Sequence, residues 1–122
     1  MRRILVIDDE PLISMLVGDW LTELGCEVVG PARTVQDGLD LIENGALDGA
    51  ILDVNLGSNK SFLVAEALRN RGVPFAFATG DGDIGQASGF PGPLVLQKPF
   101  DFEAVKSMLE ALLDENRKVN RQ

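Results

Sequence analysis

The feature that most constrains this chain is the alternation of short apolar, β-branched runs with amphipathic stretches, each closed by glycine or proline. Arg3 to Asp8 has the continuous apolar character of a strand buried on both faces. Pro11 then suits a first helical turn, and Leu12, Ile13, Met15, Leu16, Val17, Trp20 and Leu24 give the helix a broad apolar stripe that Gly25 ends. Glu27 to Pro31 reads as a second strand. Thr34 and Asp37 have capping-box spacing, so a helix follows with Val35, Leu39 and Ile42 turned inward and Gly45 at its close. Ala50 to Val54 is a third strand, Ser61 to Arg71 a helix stopped by Gly72, and Pro74 to Ala78 a fourth strand. The stretch from Gly80 to Pro93 is rich in glycine and predicts at most a short, mobile helix around Asp83 to Ser88. Leu94 to Leu96 is a fifth strand. Pro99 and Asp101 start a last helix, with Val105, Met108, Leu109 and Leu112 at helical spacing.

Five strands alternating with helices imply a parallel sheet with right-handed crossovers. The expected fold is therefore α/β: a doubly wound, five-stranded, flavodoxin-like sheet of order 2-1-3-4-5, with helices on both faces. One domain covers residues 1–116, and the polar tail 117–122 is expected to fray. Sheets of this kind bind ligands beyond the carboxyl ends of their strands, where the strand order reverses.

Composition narrows the chemistry. The chain has no histidine, which removes imidazole catalysis and most transition-metal sites, and its single Cys26 makes neither a disulfide nor a zinc site. The net charge of -8 argues against direct nucleic-acid binding and suits a protein that gathers carboxylates for a hard cation. No apolar run spans a bilayer, and Asp8-Asp9-Glu10 interrupts the apolar start without a cleavage site, so a cytoplasmic protein with no membrane role is expected.

What remains is carboxylate, hydroxyl and lysine chemistry at the strand ends. The first strand ends in Asp8-Asp9, the third in Asp53 with Asn55 two residues on, the fourth in Thr79, and the fifth runs into Lys98-Pro99. The expected strand order makes the first and third strands neighbours and brings three carboxylates together. Three such charges repel unless a cation joins them. An all-oxygen ligand set with open positions suits magnesium shared with a phosphate, while Lys98 offers a positive point charge and Thr79 a hydroxyl. Taken singly, Asp8-Asp9 could be a helix N-terminal cluster, Asp53 a turn residue and Lys98 a surface lysine. Their coincidence at one sheet end favours a site.

These residues, in this order, resemble the receiver domains of bacterial two-component response regulators, and the resemblance covers essentially the whole chain. It implies that Asp53 accepts a phosphoryl group from a partner histidine kinase or phosphotransfer protein. It further implies that Asp9 and Asp53 bind Mg2+ directly, that Asp8 acts through water, and that the Asn55 carbonyl completes the protein ligands. Lys98, aimed by a cis bond to Pro99, would contact the phosphoryl oxygens, and Thr79 would turn toward them. The implied output is contact with a downstream protein effector; a homodimer stays open.

The chain departs from the family pattern in places. Val95 stands where an aromatic switch residue is usual, and Leu56-Gly57-Ser58-Asn59 replaces the usual proline loop, which is expected to be looser for it. Pro74 to Gly80 reads Pro-Phe-Ala-Phe-Ala-Thr-Gly and resembles the atypical receivers with a Phe-Ala-Thr-Gly signature, which lack the aromatic switch. Readout would then pass through ordering of Gly80 to Pro93, and Asp81 would stand at the rim of the site as a tuner of phosphoryl lifetime or a plain loop residue. Other readings are a receiver fold used without phosphorylation, a phosphate sink, an aspartyl phosphohydrolase and a flavin or nucleotide binder. Asn55 occupies the place of the second acid-base carboxylate that a hydrolase needs, and Asp8-Asp9-Glu10 would repel a bound phosphate.

Overall fold

The computed structural model describes residues 1–57, 59–80 and 94–120, with side chains described as far as Asp114. Its elements follow the alternation of the sequence: β1 (Arg2–Ile7), α1 (Pro11–Glu23), β2 (Cys26–Ala32), α2 (Val35–Glu43), β3 (Gly49–Asp53), a short pair β4 (Asn55–Leu56) and β5 (Asn59–Lys60), α3 (Phe62–Asn70), β6 (Phe75–Thr79), β7 (Leu94–Gln97) and α4 (Phe102–Asn120). The main sheet has the order β2-β1-β3-β6-β7, and every pairing in it is parallel. With β4 and β5 set aside, this is the expected flavodoxin-like order.

The two-residue period of each strand divides the core into two layers. Leu5, Ile7, Leu52 and Phe77 face α2 and α3, where Ile42, Val64 and Leu68 cover them. Ile4, Val6, Ile51, Ala76 and Leu96 face α1 and α4, where Val17, Leu21, Val105 and Leu112 cover them. Both faces of the sheet are therefore dry, which is why its strands read as continuous apolar runs. In α2, Gly38 permits close approach to β1, since a Cβ there would lie 2.6 Å from Ile7 Cδ1.

Local signals set the element ends. Pro11 opens α1, and Gly25 beyond its end takes φ +86. Thr34 Oγ1 accepts the Asp37 amide at 3.1 Å at the start of α2, and Asp101 Oδ1 accepts the Ala104 amide at 2.9 Å at the start of α4. The last helix runs through Asn120.

Two expectations are corrected. The apolar stripe of α1 is wider than its buried face. Val17 and Leu21 are buried, whereas Leu12, Met15 and Leu16 are 65%, 55% and 38% exposed, because a helix lying on a sheet buries only the side turned to it. The described residues around the loop after Asp53 are paired, where the sequence predicts only a looser loop. Asn55 and Leu56 pair antiparallel with Lys60 and Asn59, Leu56 is buried, and the Ser61 amide donates to the Val54 carbonyl at 2.9 Å. Backbone pairing supplies the order that a proline would otherwise provide.

Phe77 is fully buried and meets Phe62 and Phe75 edge to face, with ring centroids 5.8 and 5.5 Å away. Phe77→Ala is expected to cost about 3–5 kcal/mol, read as a lower urea midpoint at unchanged slope. A loss under about 1 kcal/mol would contradict this core arrangement.

Candidate functional site

Asp8 follows β1, Asp53 ends β3, Thr79 ends β6 and Lys98 follows β7, so the parallel topology delivers all four to one end of the sheet. Asp53 pairs in register with Ala78, which places it beside Thr79. The Lys98 amide donates to the Thr79 carbonyl at 2.8 Å, fixing where the lysine leaves the sheet. The Lys98–Pro99 bond is cis, as the resemblance implied.

Lys98 Nζ lies 3.2 Å from Asp53 Oδ2, 3.5 Å from Glu10 Oε1 and 3.7 Å from Asp8 Oδ2. Carboxylate oxygens of Asp8, Asp9, Glu10 and Asp53 come within 4.8 Å of one another. Asp8, Asp53 and Thr79 are buried at 5%, 6% and 5% exposure and form the floor. Asp9 and Glu10 stand higher, toward solvent. Glu10 was not singled out from the sequence as a site residue; its place as a third consecutive carboxylate, just before the helix-opening Pro11, was the available signal.

Backbone donors hold the carboxylates in place. The Glu10 amide donates to Asp8 Oδ1 at 2.8 Å, and Ser14 Oγ donates to the Asp8 carbonyl at 3.2 Å. The Gly57 amide donates to Asp9 Oδ2 at 2.8 Å, and the Asn55 amide donates to Asp53 Oδ1 at 3.3 Å. The β4–β5 ladder thus ties the rim to both first-strand and third-strand carboxylates. Asn55 enters this arrangement through its backbone, while its side-chain oxygen accepts from Lys60. Asp81 and the segment expected to order on phosphorylation lie outside the described residues.

Charge is unbalanced here. Burial pushes the Asp8 carboxyl up to about 6; the Asp53 charge adds to this, while the Glu10 amide and Lys98 oppose it. Burial works against the charge on Lys98, but Asp53 and Asp8 outweigh it and leave the ammonium above its ordinary value. A folded Asp8 that holds its proton up to about pH 6, against about 4 when unfolded, favours the folded state at low pH. That contribution is full below about pH 4 and is lost as the pH rises through about 6. In metal-free buffer, Asp8→Asn is expected to remove this falling component between pH 4 and 6, checked by urea unfolding at several pH values. Identical pH profiles for the two proteins would contradict the buried, crowded Asp8.

The geometry has close counterparts. The profile of the response regulator receiver domain matches residues 4–110. The solution structure of SdrG from Sphingomonas melonis Fr1 is 48% identical, covers 93% of this chain and 97% of its own, and superposes with a TM-score of 0.80. The response regulator PhyR from Brucella abortus is 29% identical with a TM-score of 0.86, covering 97% of this chain and 50% of PhyR. The transcriptional regulatory protein TcrA of Mycobacterium tuberculosis is 34% identical over 118 residues, covering 90% of this chain and 45% of TcrA. The chain thus spans about half the length of the first curated relatives it matches. Receiver domains are phosphoryl-accepting signalling domains, and this chain belongs to the response regulator receiver domain family.

Proposed function

We propose that Asp53 accepts a phosphoryl group from a partner histidine kinase or phosphotransfer protein in a magnesium-dependent reaction, and that the domain relays the signal by binding a downstream protein. The observation that carries this reading is the buried Asp53 carboxylate held 3.2 Å from Lys98 Nζ among three further carboxylates. Among the described residues only Lys98 forms ion pairs within this group of four carboxylates, which leaves a negative excess, and a hard cation with oxygen ligands is what such a set accepts. The all-oxygen set of clustered carboxylates fits magnesium. Asp8, Asp9 and Asp53 would hold it with the Asn55 carbonyl, and when bound it would neutralise charge on the transferring phosphoryl group.

The chain's own groups do the rest. An Asp53 oxygen attacks phosphorus, the bond from phosphorus to the donor nitrogen breaks, and that electron pair stays on the donor imidazole. Lys98 is placed to balance phosphoryl oxygens once the Asp53 charge passes into the acyl phosphate. The Thr79 hydroxyl, buried at the end of the adjacent strand, is the neutral donor for a second oxygen. The neighbour SdrG also has a solved BeF3-activated conformation, and beryllofluoride on a carboxylate is a tetrahedral analogue of a phosphoryl group. No helix among the described residues is long and apolar enough to cross a membrane.

Incubation with acetyl phosphate and magnesium, followed by intact mass, is expected to give one phosphoryl adduct, absent in Asp53→Asn and without metal. Lys98→Met is expected to slow its formation by about a hundredfold or more. An adduct of equal yield in Asp53→Asn would overturn the assignment. So would its absence from the wild type with both small donors and histidine kinases.

A further inference from the structure

We propose that Lys60 is a positioning residue for the phosphoryl group on Asp53, acting through the side-chain amide of Asn55 to lengthen the life of the phosphorylated state. This rests on the reading of Asp53 as phosphoacceptor. Lys60 and Asn55 face each other across the β4–β5 ladder, and Lys60 Nζ donates to Asn55 Oδ1. The same Asn55 donates its backbone amide to Asp53 Oδ1, so Lys60 is two hydrogen bonds away from the acceptor carboxylate. The ladder is anchored by buried Leu56 and by the Gly57 amide on Asp9, which fixes the pair at the rim of the carboxylate cluster.

The chemistry of the pair gives it a direction. An ammonium has donors and no acceptor, so it can meet only the oxygen of the Asn55 amide. With that oxygen held by Lys60, the amide NH2 is the group Asn55 presents on its other side. A donor at the rim suits an anionic phosphoryl group. An amide free to turn would present its oxygen instead, and an acceptor there would draw a water proton and favour attack. In the loss of the phosphoryl group, a water oxygen bonds to phosphorus and the bond from phosphorus to the Asp53 oxygen breaks. The electron pair returns to the carboxylate, a water proton passes to solvent, and inorganic phosphate leaves. Lys60 opposes the first of these events by keeping the acceptor turned away.

The test is the decay of the phosphorylated protein, prepared with acetyl phosphate and magnesium, freed of donor and followed by intact mass. Lys60→Met keeps the stem and removes the donor, and is expected to shorten the half-life about two- to tenfold, the scale of one hydrogen bond. Lys60→Arg restores a donor and keeps the half-life near that of the wild type. In an Asn55→Ala background, which retains the backbone carbonyl, Lys60→Met has no further effect. The melting temperature of the unphosphorylated protein is unchanged by Lys60→Met. Equal half-lives for the wild type and Lys60→Met overturn the proposal, as does an effect that persists in Asn55→Ala or one matched by a loss of stability. If the wild type takes up no phosphoryl group, it is the assignment of Asp53 that fails. The contact is then judged on the unphosphorylated protein by the Asn55 side-chain amide resonances, which Lys60→Met is expected to shift; unchanged resonances overturn it.

Discussion

The carboxyl end of the sheet carries an excess of negative charge that the rest of the fold has to hold in place. Four carboxylates gather at this end, three of them within 3.7 Å of the Lys98 ammonium, and two, Asp8 and Asp53, are buried. Such a group of charges is costly to assemble, and a chain keeps it only if the fold enforces it. Here the enforcement is topological. The parallel order places the end of β1 beside the end of β3, and the β6–β7 pairing carries Lys98 across to meet them. Two dry core layers, one on each face of the sheet, hold those strand ends in register. The energy that keeps the carboxylates together is therefore spent far from them, in the burial of Leu5, Phe77, Leu21 and Leu112.

The site has a floor and a rim with different physical characters. The floor residues Asp8, Asp53 and Thr79 emerge directly from strands and inherit their rigidity. The rim is built by short-range pairing in the β4–β5 ladder, whose backbone amides reach Asp9 and Asp53. A floor that fixes the acceptor and a rim that can be altered residue by residue separate two tasks. In the proposed function the first is to receive the phosphoryl group and the second is to set how long it stays.

Much of this was legible in the sequence because the governing signals are local or periodic. The apolar runs at Ile4–Ile7 and Ala50–Leu52 announce a sheet covered on both faces, and Thr34, Gly25 and Gly72 mark helix ends through hydrogen bonding and positive φ. Asp8, Asp53, Thr79 and Lys98 were readable because strand ends and strand order together predict their convergence. Other features depend on contacts that no local pattern encodes. Whether Met15 or Val17 is buried depends on how α1 rolls against the sheet, and both are apolar at helical spacing. The β4–β5 ladder rests on one leucine and three polar residues, too short a stretch to show alternation, and its order comes from Leu56 finding the core and Gly57 finding Asp9. Lys60 was invisible for the same reason: an exposed lysine has meaning only once its cross-strand partner is known.

The chemistry proposed for this fold is acyl phosphate formation at one carboxylate. Borohydride reduces an aspartyl phosphate to homoserine and leaves free carboxylates untouched. Protein treated with a phosphoryl donor and magnesium, reduced and digested, should therefore carry homoserine at position 53 when its peptides are sequenced by mass spectrometry. Homoserine at position 8 or 9 instead, or aspartate unchanged at all three positions in protein that has taken up phosphate, would contradict it.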